Sequence, residues 1–176
     1  MKYLKWLAIG LAGLGAIVLI GGLLMSSRFT VVRSTMIAAP PEKVYALVAD
    51  PKAWNRWAVW NRRDPAMEIV YSGPATGAGA RWAWKSKSQG DGVMTLTAAE
   101  PARRVAFDLF FPDFGTTSQG ELRFTPKGNA TEVTWTMNGD MGSNPIYHWM
   151  AAMADRLIGK DFEAGLAGLK EAAEKP

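Results

Sequence analysis

His148 is the only histidine in this chain of 176 residues, and the chain contains no cysteine. Nucleophilic catalysis with a histidine base could therefore be built only around His148, while thiolate catalysis, disulfide bonds and cysteine-ligated metals are excluded. Helical spacing in the surrounding segment turns His148 away from the apolar stripes, so we expect its ring to face solvent. The sequence thus predicts no catalytic residues.

Metal and phosphate sites find no support either. A metal would depend on carboxylates, and Asp108, Glu121 and Glu132 all fall on outward positions of predicted strands. The glycine-rich turn at residues 77–79 joins two strands, whereas phosphate-binding glycine loops lead from a strand into a helix N-terminus. We predict no metal and no cofactor.

Large apolar side chains, rather than polar groups, occupy the inward positions of the predicted elements. Small residues on the last predicted helix, opposite aromatic residues of the strands, would leave an apolar space suited to a hydrophobic ligand. The alternative is that the same residues simply fill a core. The residues predicted to line a ligand cavity are Trp60, Trp82, Trp84, Phe107, Phe111, Trp135, Met137, Met150, Ala151 and Ala154.

Three tryptophans recur at three-residue intervals in the stretch WNRWAVWN, residues 54–61. Asp50 and Pro51 are suited to begin a short helix, which would place Trp54 and Trp57 on one side. We predict that both rings pack on an apolar stripe of the last helix, and that Trp60, beyond the short helix, lies at the cavity mouth or a membrane-facing rim. The stripe consists of Trp149, Met153 and Leu157.

The predicted strands and helices follow a definite order along residues 29–173: one strand, two short helices, six strands and a long helix. Alternating apolar residues predict seven strands, at 29–37, 67–71, 81–85, 93–99, 105–111, 120–125 and 132–137. Two short helices follow the first strand, and Asn144 and Pro145 begin a long helix that ends near Ala173. Short, closely spaced strands favour an antiparallel meander with one dry face.

The first 28 residues differ from the rest. No charged side chain occurs from Trp6 to Ser27, and 22 helical residues would extend roughly 33 Å, enough to cross a bilayer core. A signal peptide is the alternative, but its apolar run is usually about 7–15 residues and ends at a small-residue cleavage site, which we do not find. We therefore predict a transmembrane anchor over residues 1–28 and one domain over residues 29–176.

Charge bears on topology and on partners. Lys2 and Lys5 favour a cytoplasmic N-terminus, which places the domain outside the cytoplasm of a single-pass membrane protein, although Arg28 and Arg33 argue the other way. The first 28 residues hold three of the 20 Lys and Arg and none of the 16 Asp and Glu, so the domain is almost neutral. Nucleic acid is therefore not a predicted partner.

Particular residues accompany this order of elements. They are Ile37-Ala38-Ala39-Pro40 with Val44, Asp50 followed by Trp54 and Trp57, Tyr71-Ser72-Gly73, Gly77-Ala78-Gly79, Thr131 to Trp135, and Phe162-Glu163-Ala164-Gly165-Leu166. In these residues and in its order of elements, the chain resembles the START-like superfamily, also called SRPBCC or polyketide cyclase/dehydrase-like. The resemblance implies an α+β helix-grip fold over about residues 30–173: a curved antiparallel sheet of about seven strands around a long C-terminal helix, with a cavity between them.

This superfamily includes lipid carriers, hormone binders and cyclases, so three functions stay open. The first is a membrane-tethered domain that binds or carries an apolar small molecule or lipid. The second is a cofactor-independent cyclase or dehydratase acting on a hydrophobic substrate, and the third is an interaction domain with a filled core. Clustered polar groups in a cavity favour the enzyme, a dry cavity favours the carrier, and a filled core favours the third; the oligomeric state stays open.

Overall fold

The computed structural model describes residues 2–175. Its first element, α1 (Lys2–Leu24), contains a 22-residue segment, Tyr3–Leu24, with a mean hydropathy of 2.4. This is the one helix among residues 2–175 that is long and apolar enough to cross a membrane. Length and composition alone fit a membrane span and a signal sequence equally.

A seven-stranded antiparallel sheet forms the body of the protein, with the strand order β1-β7-β6-β5-β4-β3-β2. Each strand from β2 to β6 pairs with the next one along the chain, and β1 pairs with β7, the last strand. The predicted meander is confirmed. The strands are β1 (Arg28–Ile37), β2 (Glu68–Ser72), β3 (Arg81–Lys85), β4 (Gly92–Glu100), β5 (Arg104–Phe111), β6 (Thr116–Lys127) and β7 (Ala130–Asp140).

Three short helices and one long helix cover one face of this sheet. Between β1 and β2 lie α2 (Pro41–Ala49), a 3₁₀ helix (Pro51–Arg56) and α3 (Val59–Arg63), and the chain ends with α4 (Pro145–Glu174). The predicted start of the long helix is correct, since the Asn144 side chain accepts a hydrogen bond of 3.0 Å from the Ile146 backbone N–H. The result is the α+β helix-grip architecture that the resemblance implied.

Trp54 and Trp57 fill the core and also cap the C-terminal end of α2. They lie in the 3₁₀ helix and at its C-terminal end, not in an α-helix, and their ring centroids are 4.4 Å apart. The last carbonyls of a helix lack partners within it. Here the Trp57 indole N–H donates to the Leu47 carbonyl at 3.0 Å, and that of Trp54 donates to Val48 at 2.9 Å.

The predicted partner of these two rings was wrong. Trp57 packs against the C-terminal half of α4, where Gly168 lies so close to the Trp57 carbonyl that an added methyl would overlap it. Helical periodicity shows which residues share a face but not what covers that face. The stripe predicted to receive the rings is instead 37%, 48% and 53% exposed at Trp149, Met153 and Leu157.

Trp57→Ala is expected to lower the free energy of unfolding by about 3–5 kcal/mol, because it empties a fully buried site and removes the cap of Leu47. Trp60→Ala is the matched control, and its smaller loss follows from the half-buried position of Trp60. Urea denaturation of the full chain in detergent micelles measures both. Equal losses in the free energy of unfolding would show that Trp60 is a core residue to the same extent as Trp57.

Arg33 links β1 to the middle of α4 through two ion pairs. Its guanidinium group lies 2.7 Å from carboxylate oxygens of Asp155 and of Glu163. It covers Gly159, where an added methyl would overlap the guanidinium. Hydrogen bonding to Arg33 holds the pKa of Asp155 below its usual value. A lowered pKa in the folded state stabilises the fold above the unfolded pKa, and this stabilisation is lost as pH falls through the folded pKa.

Asp155→Asn is therefore expected to be less stable than the natural chain at pH 7. The difference should begin to shrink as pH falls below about 4, where the unfolded chain becomes protonated, and should be lost once pH passes below the lower pKa of Asp155 in the folded state. Thermal unfolding at several pH values measures it. Asp113→Asn alters an exposed carboxylate outside the ion pairs found in residues 2–175 and serves as the control; a constant difference down to pH 2 would contradict the role of the carboxylate charge.

Candidate functional site

A cavity of about 230 Å³ lies between the sheet and α4. Its walls come from inward positions of β3, β4, β5 and β7, with α3 and α4 closing it. The sequence-predicted residues that line it are Trp60, Trp82, Trp84, Phe107, Phe111, Trp135 and Met137. Their role in holding a ligand stays a prediction.

Three other predicted residues lie outside this lining. Met150 faces outward and is 38% exposed, so its assignment to the cavity is corrected. Ala151 and Ala154 are buried, but α4 packs there along β1, and their small size permits close packing rather than leaving a void. Gly165, another small residue of this helix, is covered by the Trp135 ring, whose Cζ3 would lie 2.9 Å from an added methyl.

Trp135 is the centre of the aromatic wall. Its ring stacks on Phe162 of α4, with centroids 4.0 Å apart and planes inclined by 13°. The rings of Trp54 and Trp60 meet it nearly edge to face, each at 5.9 Å. Such contacts join sheet, 3₁₀ helix, α3 and α4 at one residue, and add about 0.5–1.5 kcal/mol per pair beyond burial.

Glycines beneath two rings set the shape of the wall, a signal that our sequence reasoning missed. Gly92 pairs with Trp84, and Gly120 pairs with Phe107 across neighbouring strands. An added methyl at either glycine would overlap its partner's ring, so each ring lies over the glycine backbone. Glycine at an inward strand position beside an aromatic residue indicates such a close approach.

The rim of the cavity is organised by Asp161. Its carboxylate accepts from the Trp60 indole N–H at 3.3 Å and from the Arg63 guanidinium at 2.6 Å. Trp60 belongs to α3, whereas the sequence placed it beyond the helix. Because both partners of Asp161 are on α3, this carboxylate holds α3 against α4 at the edge of the cavity.

Polar groups in the lining are few and do not form a catalytic arrangement. Besides Asp161 they comprise the amide side chains of Asn61 and Gln89, and Asn61 donates to Asn55 at 2.8 Å. The indole N–H of Trp135 is the one buried side-chain polar group without a hydrogen-bond partner among the described residues. An unpaired buried donor of this kind costs about 1–3 kcal/mol.

His148 lies elsewhere and is buried, contrary to its predicted exposure. Its ring nitrogens are 2.7 Å from the Gly22 carbonyl oxygen and 2.9 Å from that of Gly142. It therefore connects the end of α1 to the loop before α4. Among residues 2–175 we find no group of three or more His, Asp or Glu side chains arranged to hold a metal.

The curved seven-stranded sheet around a long helix, with an apolar cavity between them, defines a START-like helix-grip protein. A family model described as polyketide cyclase/dehydrase and lipid transport matches residues 28–174. The chain belongs to this family.

Solved structures share the fold. A solution structure from Thermobifida fusca is 25% identical, with a TM-score of 0.63 over 82% of this chain and 92% of that one. A protein from Chromobacterium violaceum is 16% identical, with a TM-score of 0.63 and coverages of 84% and 98%. Truncated norcoclaurine synthase from Thalictrum flavum is 7% identical, with a TM-score of 0.65 and coverages of 85% and 95%. No curated protein matches the sequence.

Gly120→Ala is expected to destabilise the protein by about 1–3 kcal/mol, because the new methyl group forces the Phe107 ring off the strand and into the cavity. In the Phe107→Leu background the same substitution should cost less, since the smaller side chain can move aside. Urea denaturation of the four proteins gives the coupling energy. A coupling of zero would mean that the ring does not depend on Gly120.

Proposed function

We propose that the protein is a membrane-tethered carrier or binding domain for a small apolar molecule held in the cavity under α4. The observation that carries this proposal is the cavity itself, which has aromatic and aliphatic walls and only three polar side chains besides its tryptophans, Asn61, Gln89 and Asp161. An apolar pocket with a few polar groups is the usual form of a site for a hydrophobic ligand.

The volume limits the size of that ligand. An apolar cavity of about 150 Å³ accommodates benzene, and pockets for drug-sized ligands span about 300–1,000 Å³. At about 230 Å³, this cavity suits a molecule of one or two rings or a short acyl segment, rather than a whole diacyl lipid.

A catalytic function has less support. Nucleophilic or acid–base catalysis needs groups within hydrogen-bond reach of one another and of the substrate. The carboxylate of Asp161 is already bound by Arg63 and Trp60, and the nearby Asn61 amide is bound to Asn55. No pair of acid and base among residues 2–175 faces the cavity, so binding is the better supported function.

The contact between α1 and α4 supports a retained anchor. The Gly22 carbonyl oxygen contacts the buried His148 ring, and the Trp149 indole N–H donates to the Val18 carbonyl at 3.0 Å. Cleavage after α1 would remove both partners from the folded domain. We therefore propose that α1 stays attached and holds the domain at a membrane, with the orientation predicted from Lys2 and Lys5.

Ile158→Trp is expected to abolish ligand binding, because Ile158 is half-buried in the cavity wall and a larger ring there fills the space. The full chain is released from detergent micelles in a mass spectrometer, with and without added 2-naphthol, a two-ring probe with one oxygen. The natural chain should carry one probe molecule or a co-purified molecule of similar size.

The control is Val70→Trp, which adds the same ring on the edge strand β2, where Val70 is 68% exposed. This variant should bind as the natural chain does. If Ile158→Trp retains the bound molecule, or if the natural chain binds neither a co-purified molecule nor 2-naphthol, the cavity is not a ligand site.

A further inference from the structure

The N-terminal half of α4 carries an apolar face that the described chain leaves largely exposed beyond its contact with α1. It lies on a different side of the helix from the buried residues Ala151 and Ala154. Exposed apolar residues in a continuous patch indicate a contact with a partner or a membrane. This lateral face consists of Ile146, Trp149, Met150, Met153 and Leu157, which are 37–53% exposed.

The lateral face begins where α4 meets α1. Gly22 is so close to the Pro145 carbonyl that an added methyl would overlap it, and the Trp149 ring lies over Gly21 at 2.7 Å from where a methyl would be. The Trp149 N–H also reaches back to Val18, within the apolar segment of α1. A membrane that contains α1 would therefore reach the first turns of α4.

The exposed charges in the N-terminal half of α4 that lie outside the described ion pairs are basic, which suits contact with an anionic membrane surface. Arg156 and Lys160 continue the line of Trp149 and Met153 at three- and four-residue spacing, and both are exposed. Neither belongs to the ion pairs found in residues 2–175. Asp155, the acidic residue of this half, is bound by Arg33 of β1. Apolar residues followed by free basic residues are typical of helices that lie in the interface of an anionic bilayer.

The first turn of α4, which begins the lateral face, is also linked to the cavity. Phe114, in the loop between β5 and β6, is 43% exposed and meets Tyr147 of α4 edge to face at 6.1 Å. On its other side it meets Phe111, a residue of the cavity wall, at 6.4 Å. A chain of aromatic rings thus connects the first turn of α4 with the cavity wall.

We infer that the lateral face lies in the interface of the bilayer that holds α1, with Arg156 and Lys160 at the level of anionic headgroups. This inference rests on the proposed membrane anchor and adds a second, independent contact between domain and bilayer. The domain is then held with its cavity beside the lipid rather than suspended in water.

Site-directed spin labelling tests this directly, because the natural chain has no cysteine. The full chain is placed in nanodiscs of phosphatidylcholine and phosphatidylglycerol, with a nitroxide on Met153→Cys or Leu157→Cys. Ala167→Cys, on the same side of α4 but farther along, and Val70→Cys on β2 are the water-exposed controls. Leu14→Cys, in the middle of α1, is the control for the bilayer.

Labels at 153 and 157 should collide with oxygen several-fold more often, relative to a water-soluble nickel complex, than labels at 167 and 70. Water-like values at 153 and 157 with a lipid-like value at 14 would overturn the inference and leave the anchor in place. A water-like value at 14 would overturn both. Spin–spin broadening at 153, with low access to both reagents, would mean that a second copy covers the face. Ligand binding, measured by mass, stays a separate test of the cavity.

Discussion

The stacking of Trp135 on Phe162 is the contact on which the rest of the fold depends. Trp135 projects from β7 and Phe162 from α4, and both are 1% exposed. Their parallel rings, 4.0 Å apart, set the distance between helix and sheet. Trp54 and Trp57 then close around Trp135 from the 3₁₀ helix and also bind the last carbonyls of α2. One aromatic cluster thus determines where α4 lies and where the short helices must lie.

Glycine makes this cluster possible and leaves a cavity beside it. On α4, Gly165 and Gly168 admit the Trp135 ring and the Trp57 backbone. On the sheet, Gly92 and Gly120 let their partners' rings lie over the strands. Large rings that lie over strands cover much area but extend little toward the helix. The space between them and α4 therefore stays open although its walls are large residues.

The two periodicities in the sequence differ in how much they predict. A strand has two faces, so alternation around Trp82, Phe107 and Trp135 was enough to place these residues on the concave side. A helix has neighbours on many sides, and an apolar stripe shows only that water is excluded. Met150 was therefore assigned to the cavity although it faces outward, and His148 was assigned to solvent although α1 covers it. Contacts between distant segments, such as Gly168 with Trp57, have no local pattern that could reveal them.

One apolar side of α4 faces the cavity and the other is the exposed lateral face, and the two fit a single functional arrangement. A molecule that prefers an apolar cavity also prefers a bilayer, and transfer through water opposes its exchange by about 25 cal/mol for each Å² of apolar surface that is exposed. Placing the cavity beside the lipid shortens that exposed path. Such a site would need an anchor, an apolar surface next to the anchor and an apolar connection to the cavity, which are the roles that we propose for α1, the lateral face and the Phe114–Phe111 pair. In this proposed arrangement, the long helix that closes the cavity would also be the element of the domain in contact with the membrane.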